Sequence, residues 1–129
     1  MAPNERARAS GRPYTIVRPG WFDYNDTGQH RLELLQGDTR QAGDPGDGVV
    51  ARRQIAEVLV RSLGSEAANR KTFELVAMRG PAPSDLDSLF AGLEPDAPGA
   101  LDACRDSANM PLAQEPGRVR DDLARLTAR

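Results

Sequence analysis

Residues 14–22, reading YTIVRPGWF, constrain the fold of this chain more than any other stretch. Thr15, Ile16 and Val17 are β-branched and suit a pleated, half-buried surface. Pro19 then withdraws a ladder donor and Gly20 permits a close backbone approach, so a strand over residues 14–18 is expected to end in a tight turn. Trp21 and Phe22 follow as flat apolar surface beside that turn. An α/β sheet presents a ligand loop at its carboxyl edge in this way, although an ordinary strand-end turn with its aromatics packed under a neighbouring loop uses the same residues. Only thirteen residues precede Tyr14. Strands of this kind ordinarily come late in a sheet, so the position suggests the back half of a larger protein.

The rest of the chain supplies a partial α/β frame. Residues 4–10 alternate charge and alanine before Gly11, which reads as the last turns of a helix. Leu32, Leu34 and Leu35 suggest a short extended piece after the polar loop 23–30. Residues 36–48 hold four glycines, three aspartates and a proline, which makes them a loop. Ile55, Val58, Leu59, Ser62 and Leu63 recur at helical spacing, with Arg52, Arg53, Glu57 and Arg61 turned outward and Gly64 as the stop. Residues 72–76 read as a second strand, bounded by Gly80 and Pro81.

The order strand, excursion, helix, strand is satisfied by a right-handed parallel crossover. A parallel pair has to be covered on both faces, more than two strands and one good helix provide. Beyond Pro83, two short amphipathic helices are expected, one around Leu86, Leu89, Phe90 and Leu93 and another around Val119, Leu123 and Leu126. Pro95, Pro98, Pro111 and Pro116 break the chain between them. The expected division is therefore an α/β portion over residues 1–82 and a helical, Pro-rich tail over 83–129.

Composition narrows the functional classes. A net charge of −2 with both signs interleaved leaves no basic face for a phosphate backbone, so nucleic acid is a poor partner. No window approaches the apolar length of a membrane span, and the N-terminal residues lack an apolar signal core, so the expected setting is soluble and cytoplasmic. Cys104 is the only cysteine, which excludes an internal disulfide and a thiol zinc cluster.

Several motifs reduce to plainer chemistry. Gly43-x-x-Gly46-x-Gly48 follows no convincing buried strand and carries Asp44 and Asp47, which repel phosphate, so it reads as a turn-rich loop. Residues 23–28 open like a calcium loop, but the twelfth position is Leu34 where a bidentate glutamate is needed. His30 has no companion histidine or cysteine and reads as a surface residue. Arg105 beside Cys104 suggests a modestly lowered thiol pKa, without further marks of a nucleophile. Arg52 and Arg53 at a helix start are a weak pointer to an anion. No catalytic residue and no metal ligand set is assigned.

SGRPYTIVRPGWF, DGVVARRQIAEVLVRSL and KTFELV together resemble the C-terminal half of atypical short-chain dehydrogenase/reductases, the NAD(P)-binding, NmrA-like branch of extended Rossmann proteins. The resemblance covers residues 4 to about 80, and DLDSLF, NMPL and VRDDL in the tail are similar to the ends of some bacterial members with lower specificity. It implies a partial Rossmann-like sheet, in which residues 14–18 are the sixth strand, residues 52–63 a flanking helix and residues 72–76 the seventh strand. It also implies that Pro19 and Gly20 lie by the nicotinamide of NAD(P) and that Trp21 and Phe22 wall the pocket.

The family's GxxGxxG turn and its YxxxK motif are both absent. Without them the pyrophosphate has no helix N-terminus to sit on and no acid delivers a proton. The expectation is the C-terminal portion of an NAD(P)-dependent oxidoreductase, inactive alone. The alternative is a free-standing, non-enzymatic module that pairs with itself or a partner through an exposed sheet edge.

Overall fold

The computed structural model describes residues 3–38, 40, 42–106 and 112–127. Pro111, expected as a helix breaker, and residues 109–111 of the tail resemblance lie outside the described residues. The chain runs α1 (Pro3–Ala9), β1 (Thr15–Pro19), β2 (Trp21–Phe22), β3 (Arg31–Leu35), β4 (Val49–Val50), α2 (Arg52–Leu63), β5 (Lys71–Met78), α3 (Leu86–Ala91) and α4 (Gly117–Thr127).

β5 is the spine. It pairs in parallel with β1, Thr15 opposite Lys71 through Pro19 opposite Leu75, with α2 in the crossover between them. On its other side it pairs antiparallel with β3, giving the order β1-β5-β3. The fold is α/β, consistent with a partial Rossmann-like sheet. The extended piece expected around Leu32 is thus a third strand, and the sheet is mixed. β1 also lies one residue later than expected, starting at Thr15 rather than Tyr14 and including Pro19, which an edge strand tolerates because no neighbour needs the missing donor.

Seven consecutive residues of β5, from Lys71 to Ala77, are buried, so the strand is covered on both faces from within this chain. This exceeds the cover expected from two strands and one helix. One face packs Phe73, Leu75 and Ala77 against Val58, Ala68, Leu86 and Phe90. The Phe73 and Phe90 rings stand 5.9 Å apart at a tilt; truncating either would cost about 3–5 kcal/mol. Lys71 reaches under this layer and donates to the carbonyls of Phe90 at 3.0 Å and Leu93 at 2.6 Å, so its charge is spent on the end of α3.

The second face is polar where it meets α1 and the tail. Thr72 accepts from Arg8 of α1 at 3.0 Å and donates to Asp96 of the tail at 2.8 Å. Arg6 also pairs with Asp122 at 2.9 Å, tying α1 to α4.

The helix α2 lies where its periodicity places it, but its buried stripe is narrower than expected. Gln54 and Val58 are buried, whereas Leu59 and Leu63 are exposed, Leu63 by 88%. The sheet ends at β1, so the far side of the apolar stripe overhangs the strand edge. Gln54 is buried because it works as a polar tie: its amide donates to the Gln29 carbonyl at 3.0 Å and its oxygen accepts from Ala51 N at 2.8 Å. Among the described residues no helix is long and apolar enough to cross a membrane.

Candidate functional site

Pro19 closes β1 at the carboxyl end of the parallel pair, and the backbone turns at Gly20, whose amide donates to the Leu75 carbonyl at 2.9 Å. Only a glycine fits here: a Cβ on Gly20 would stand 2.6 Å from the Gly48 carbonyl oxygen. Trp21 and Phe22 then pair as a short parallel ribbon with Val49 and Val50, Trp21 N donating to Gly48 O at 3.0 Å. This ribbon lifts both rings off the sheet. Trp21 is 41% and Phe22 47% exposed.

The turn opens onto a cleft of about 910 Å³. Pro19, Gly20, Trp21 and Phe22, the four residues singled out in the sequence, all line it. Its floor comes from β1 and β5, through Arg18, Glu74 and Val76, and its rim from Asp38, Arg40, Asp47 and Arg52. Trp21 meets Tyr24 edge-on at 6.3 Å, and the Arg52 guanidinium lies 5.4 Å over the Phe22 ring. Arg52 also pairs with Asp23 at 2.6 Å, which gives one of the two helix-start arginines a partner inside the protein.

Charge in the cleft is largely compensated. Arg18 grips Asp106 with two bonds of 3.0 and 2.8 Å. That bidentate contact raises the Arg18 pKa above the usual arginine value, against the opposing effect of burial, with Asp106, Asp38 and Glu74 adding attraction. Asp47 takes amide hydrogen bonds from Ala42 and Gly43, and these hold its pKa below the usual aspartate value. Arg40 is exposed and has no ion pair among the described residues.

Sequence reading found the apolar wall and missed the polar floor. Arg18 and Glu74 face each other across the β1–β5 register, a juxtaposition invisible until the strands are paired. The polar residue inside an otherwise apolar strand was the available signal.

The other candidates lie apart. His30 is exposed, as expected. Cys104 departs from its expectation: Arg105 pairs with Glu94 rather than with the thiol. Cys104 Sγ donates to Glu94 Oε2 at 2.9 Å, and the carboxylate together with partial burial pushes the thiol pKa up to about 11. No cluster of potential metal ligands occurs among the described residues.

Residues 3–66 match the NAD(P)H-binding family, a span that includes β1, the Pro19–Gly20 turn and both aromatics. The chain is 33% identical over 85 residues to sanguinarine reductase of Eschscholzia californica, covering 64% of this chain and 30% of that protein. It is 34% identical over 90 residues to an uncharacterized chloroplastic protein of Arabidopsis thaliana, covering 63% of this chain and 25% of that one. The chain therefore spans under a third of the length of these relatives. Residues 3–66 are thus similar to NAD(P)H-binding proteins, and one of the two relatives is a reductase.

Proposed function

We propose that this chain is the C-terminal portion of an NAD(P)-dependent oxidoreductase of the short-chain dehydrogenase/reductase kind, from its NmrA-like branch, and that it is inactive alone. The cleft at the carboxyl edge of the parallel pair carries the reading, because its aromatic wall lies inside the segment similar to NAD(P)H-binding proteins. The lining suits one end of a dinucleotide. Trp21 and Phe22 offer an apolar face to a planar ring, while Arg18 and Arg52 of the lining are already paired with Asp106 and Asp23, which leaves little positive charge for a pyrophosphate.

A nicotinamide nucleotide bound there would supply the hydride. The residues present would orient its ring and keep water from one face. Gripping the pyrophosphate and delivering a proton fall to GxxGxxG and YxxxK, which this sequence does not contain.

Titrating the 129-residue chain with NADPH, read as quenching of Trp21, tests the site directly. Weak but saturable quenching is expected, without turnover of carbonyl substrates. No saturable change at millimolar nucleotide would count against the cleft, and turnover by the chain alone would overturn its inactivity. The DNA upstream of Met1 tests the origin: an open frame encoding a strand and GxxGxxG supports it, and an in-frame stop with a ribosome site at Met1 argues against a misplaced start.

A second reading, the self-associating module, is favoured by one specific observation. Leu59, Val60 and Leu63 are exposed beside Pro13, Tyr14 and Thr15 at the outer edge of β1, around a groove of about 770 Å³. Light scattering after size exclusion distinguishes the readings. A folded dimer that Leu63→Glu converts to monomer supports the module, whereas a monomer at all concentrations counts against it.

A further inference from the structure

One corner of the cleft contains a complete set of ring, cation and carboxylate. The Arg52 guanidinium lies 5.4 Å over the Phe22 ring and pairs with Asp23 at 2.6 Å. A cation over an aromatic face is drawn by the ring's quadrupole, and a carboxylate beside it adds to the attraction. Here the protein supplies all three members itself.

The neighbouring corner has two rings and a carboxylate but no cation. Trp21 and Tyr24 meet at 77° with their centroids 6.3 Å apart, and both are exposed and line the cleft. Asp47 lines the same cleft, its carboxylate fixed by Ala42 N at 2.7 Å and Gly43 N at 2.8 Å. The next residue, Gly48, receives the Trp21 amide at 3.0 Å, which ties the carboxylate's loop to the strand that carries the ring. Two neutral amides keep a carboxylate ionised without cancelling its charge.

The arginines of the lining do not complete this second set. Arg18 is held by Asp106 at 2.8 Å and Arg52 by Asp23, while Arg40 makes no ion pair or ring contact among the described residues. With Arg18 and Arg52 neutralised, Asp38, Asp47 and Glu74 leave the lining with more negative than positive charge. A delocalised planar cation suits the place better than a compact ammonium, because an indole offers a broad flat face and a dispersed charge is only weakly hydrated.

We infer that the cleft binds a planar organic cation of the N-alkylpyridinium class, seated in the Trp21–Tyr24 corner with Asp47 as its counter-charge. As a ligand site the cleft rests on the function proposed above; its preference for positive charge is decided separately. Such a cation is either the oxidised ring of the nicotinamide nucleotide or a distinct substrate, and different probes tell the two apart.

Trp21 is the sole tryptophan, so its indole N–H gives a single NMR signal. The 129-residue chain is titrated with 1-methylnicotinamide and with nicotinamide, which share a ring and differ by a methyl group and a positive charge. The cation is expected to shift the indole signal saturably and to bind about fivefold more tightly than the neutral ring, an advantage that shrinks as salt is raised. Equal affinities, or tighter binding of nicotinamide, overturn the inference. Asp47→Asn and Tyr24→Leu, the latter at a position 61% exposed and outside the core, are each expected to narrow the difference between the two probes. A difference unchanged in both variants also overturns it. Tighter binding of NADP+ than of NADPH identifies the cation with the nucleotide's own oxidised ring, and equal binding of the two nucleotides alongside a preference for 1-methylnicotinamide identifies a distinct cationic substrate. Failure of both nucleotides to bind, with 1-methylnicotinamide still preferred, would sink the proposed function and leave the cation site standing.

Discussion

At the scale of single residues, Cys104 shows how a neighbour's partner reverses its influence. An arginine next in sequence ordinarily favours a thiolate. Here Arg105 is taken up by Glu94, and the carboxylate that remains beside the sulfur accepts the thiol proton and disfavours a second negative charge. With the pKa near 11, the thiolate share at pH 8 is about one part in a thousand. Iodoacetamide at that pH should label Cys104 roughly a hundredfold more slowly than an ordinary free thiol, and Glu94→Gln should speed labelling. A wild-type rate equal to that of a free thiol in the unfolded chain would contradict the assignment. Gln54 makes the same point without charge, since it holds a core position in α2 by closing hydrogen bonds rather than by being apolar.

At the scale of elements, the contact between the aromatic ribbon and the loop before α2 depends on two glycines in apposition. A Cβ on Gly48 would stand 2.3 Å from Val76 Cγ1, and its φ of 114° is one that other residues rarely adopt. Gly48→Ala should therefore cost about 2–5 kcal/mol, combining backbone strain of about 1–2 with overpacking of about 1–3. Gly43→Ala, at φ 80° with nothing within 4 Å of the added atom, should cost only the strain. Thermal or denaturant melts of the two variants check this, and equal losses would show that Val76 yields.

That apposition also marks the limit of what the sequence makes legible. β1, α2 and β5 are readable because β-branched runs and helical periodicity are local signals, and the Pro19-Gly20 turn is readable because both residues restrict the backbone where they stand. The Gly48–Val76 contact, the Arg18–Glu74 floor and the outward Leu63 depend on which strands become neighbours and where the sheet ends, and no local pattern encodes that. Residues 42–48 read as an isolated loop for the same reason: their partner, Trp21, lies more than twenty positions away.

At the scale of the whole molecule, one buried carboxylate joins the two ends of the chain across the sheet. Asp96 Oδ2 accepts from Arg8 at 3.0 Å, Thr72 at 2.8 Å and Tyr14 at 2.8 Å, while Oδ1 accepts from Cys104 N at 3.0 Å. Arg8 also donates to the Leu101 carbonyl at 2.8 Å. α1, β1, β5 and the tail thus share one polar centre, and contacts run freely across the compositional boundary at residue 82. Both ends of this network titrate away from their ordinary values. Burial pushes the Asp96 pKa up, but the hydrogen bonds from Cys104, Thr72, Tyr14 and Arg8 outweigh it and leave the pKa lowered. Burial and the bond to Asp96 raise Tyr14 to about 12.

The signs give a stability plateau with two limbs. The Asp96 contribution is complete above the ordinary aspartate pKa of 3.8 and is lost as pH falls below it through the lowered folded value. The Tyr14 contribution is complete below pH 10 and is lost as pH rises from there through about 12. Melting temperatures measured by circular dichroism across pH should therefore fall at both extremes. Tyr14→Phe should cost about 1 kcal/mol at neutral pH and flatten the alkaline limb while sparing the acid one. Asp96→Asn leaves Arg8 buried without its counter-charge and should cost about 3–5 kcal/mol, with both limbs shallower because each depends on the same carboxylate. An alkaline limb that persists unchanged in Tyr14→Phe would show that the phenol plays no part in holding the ends together.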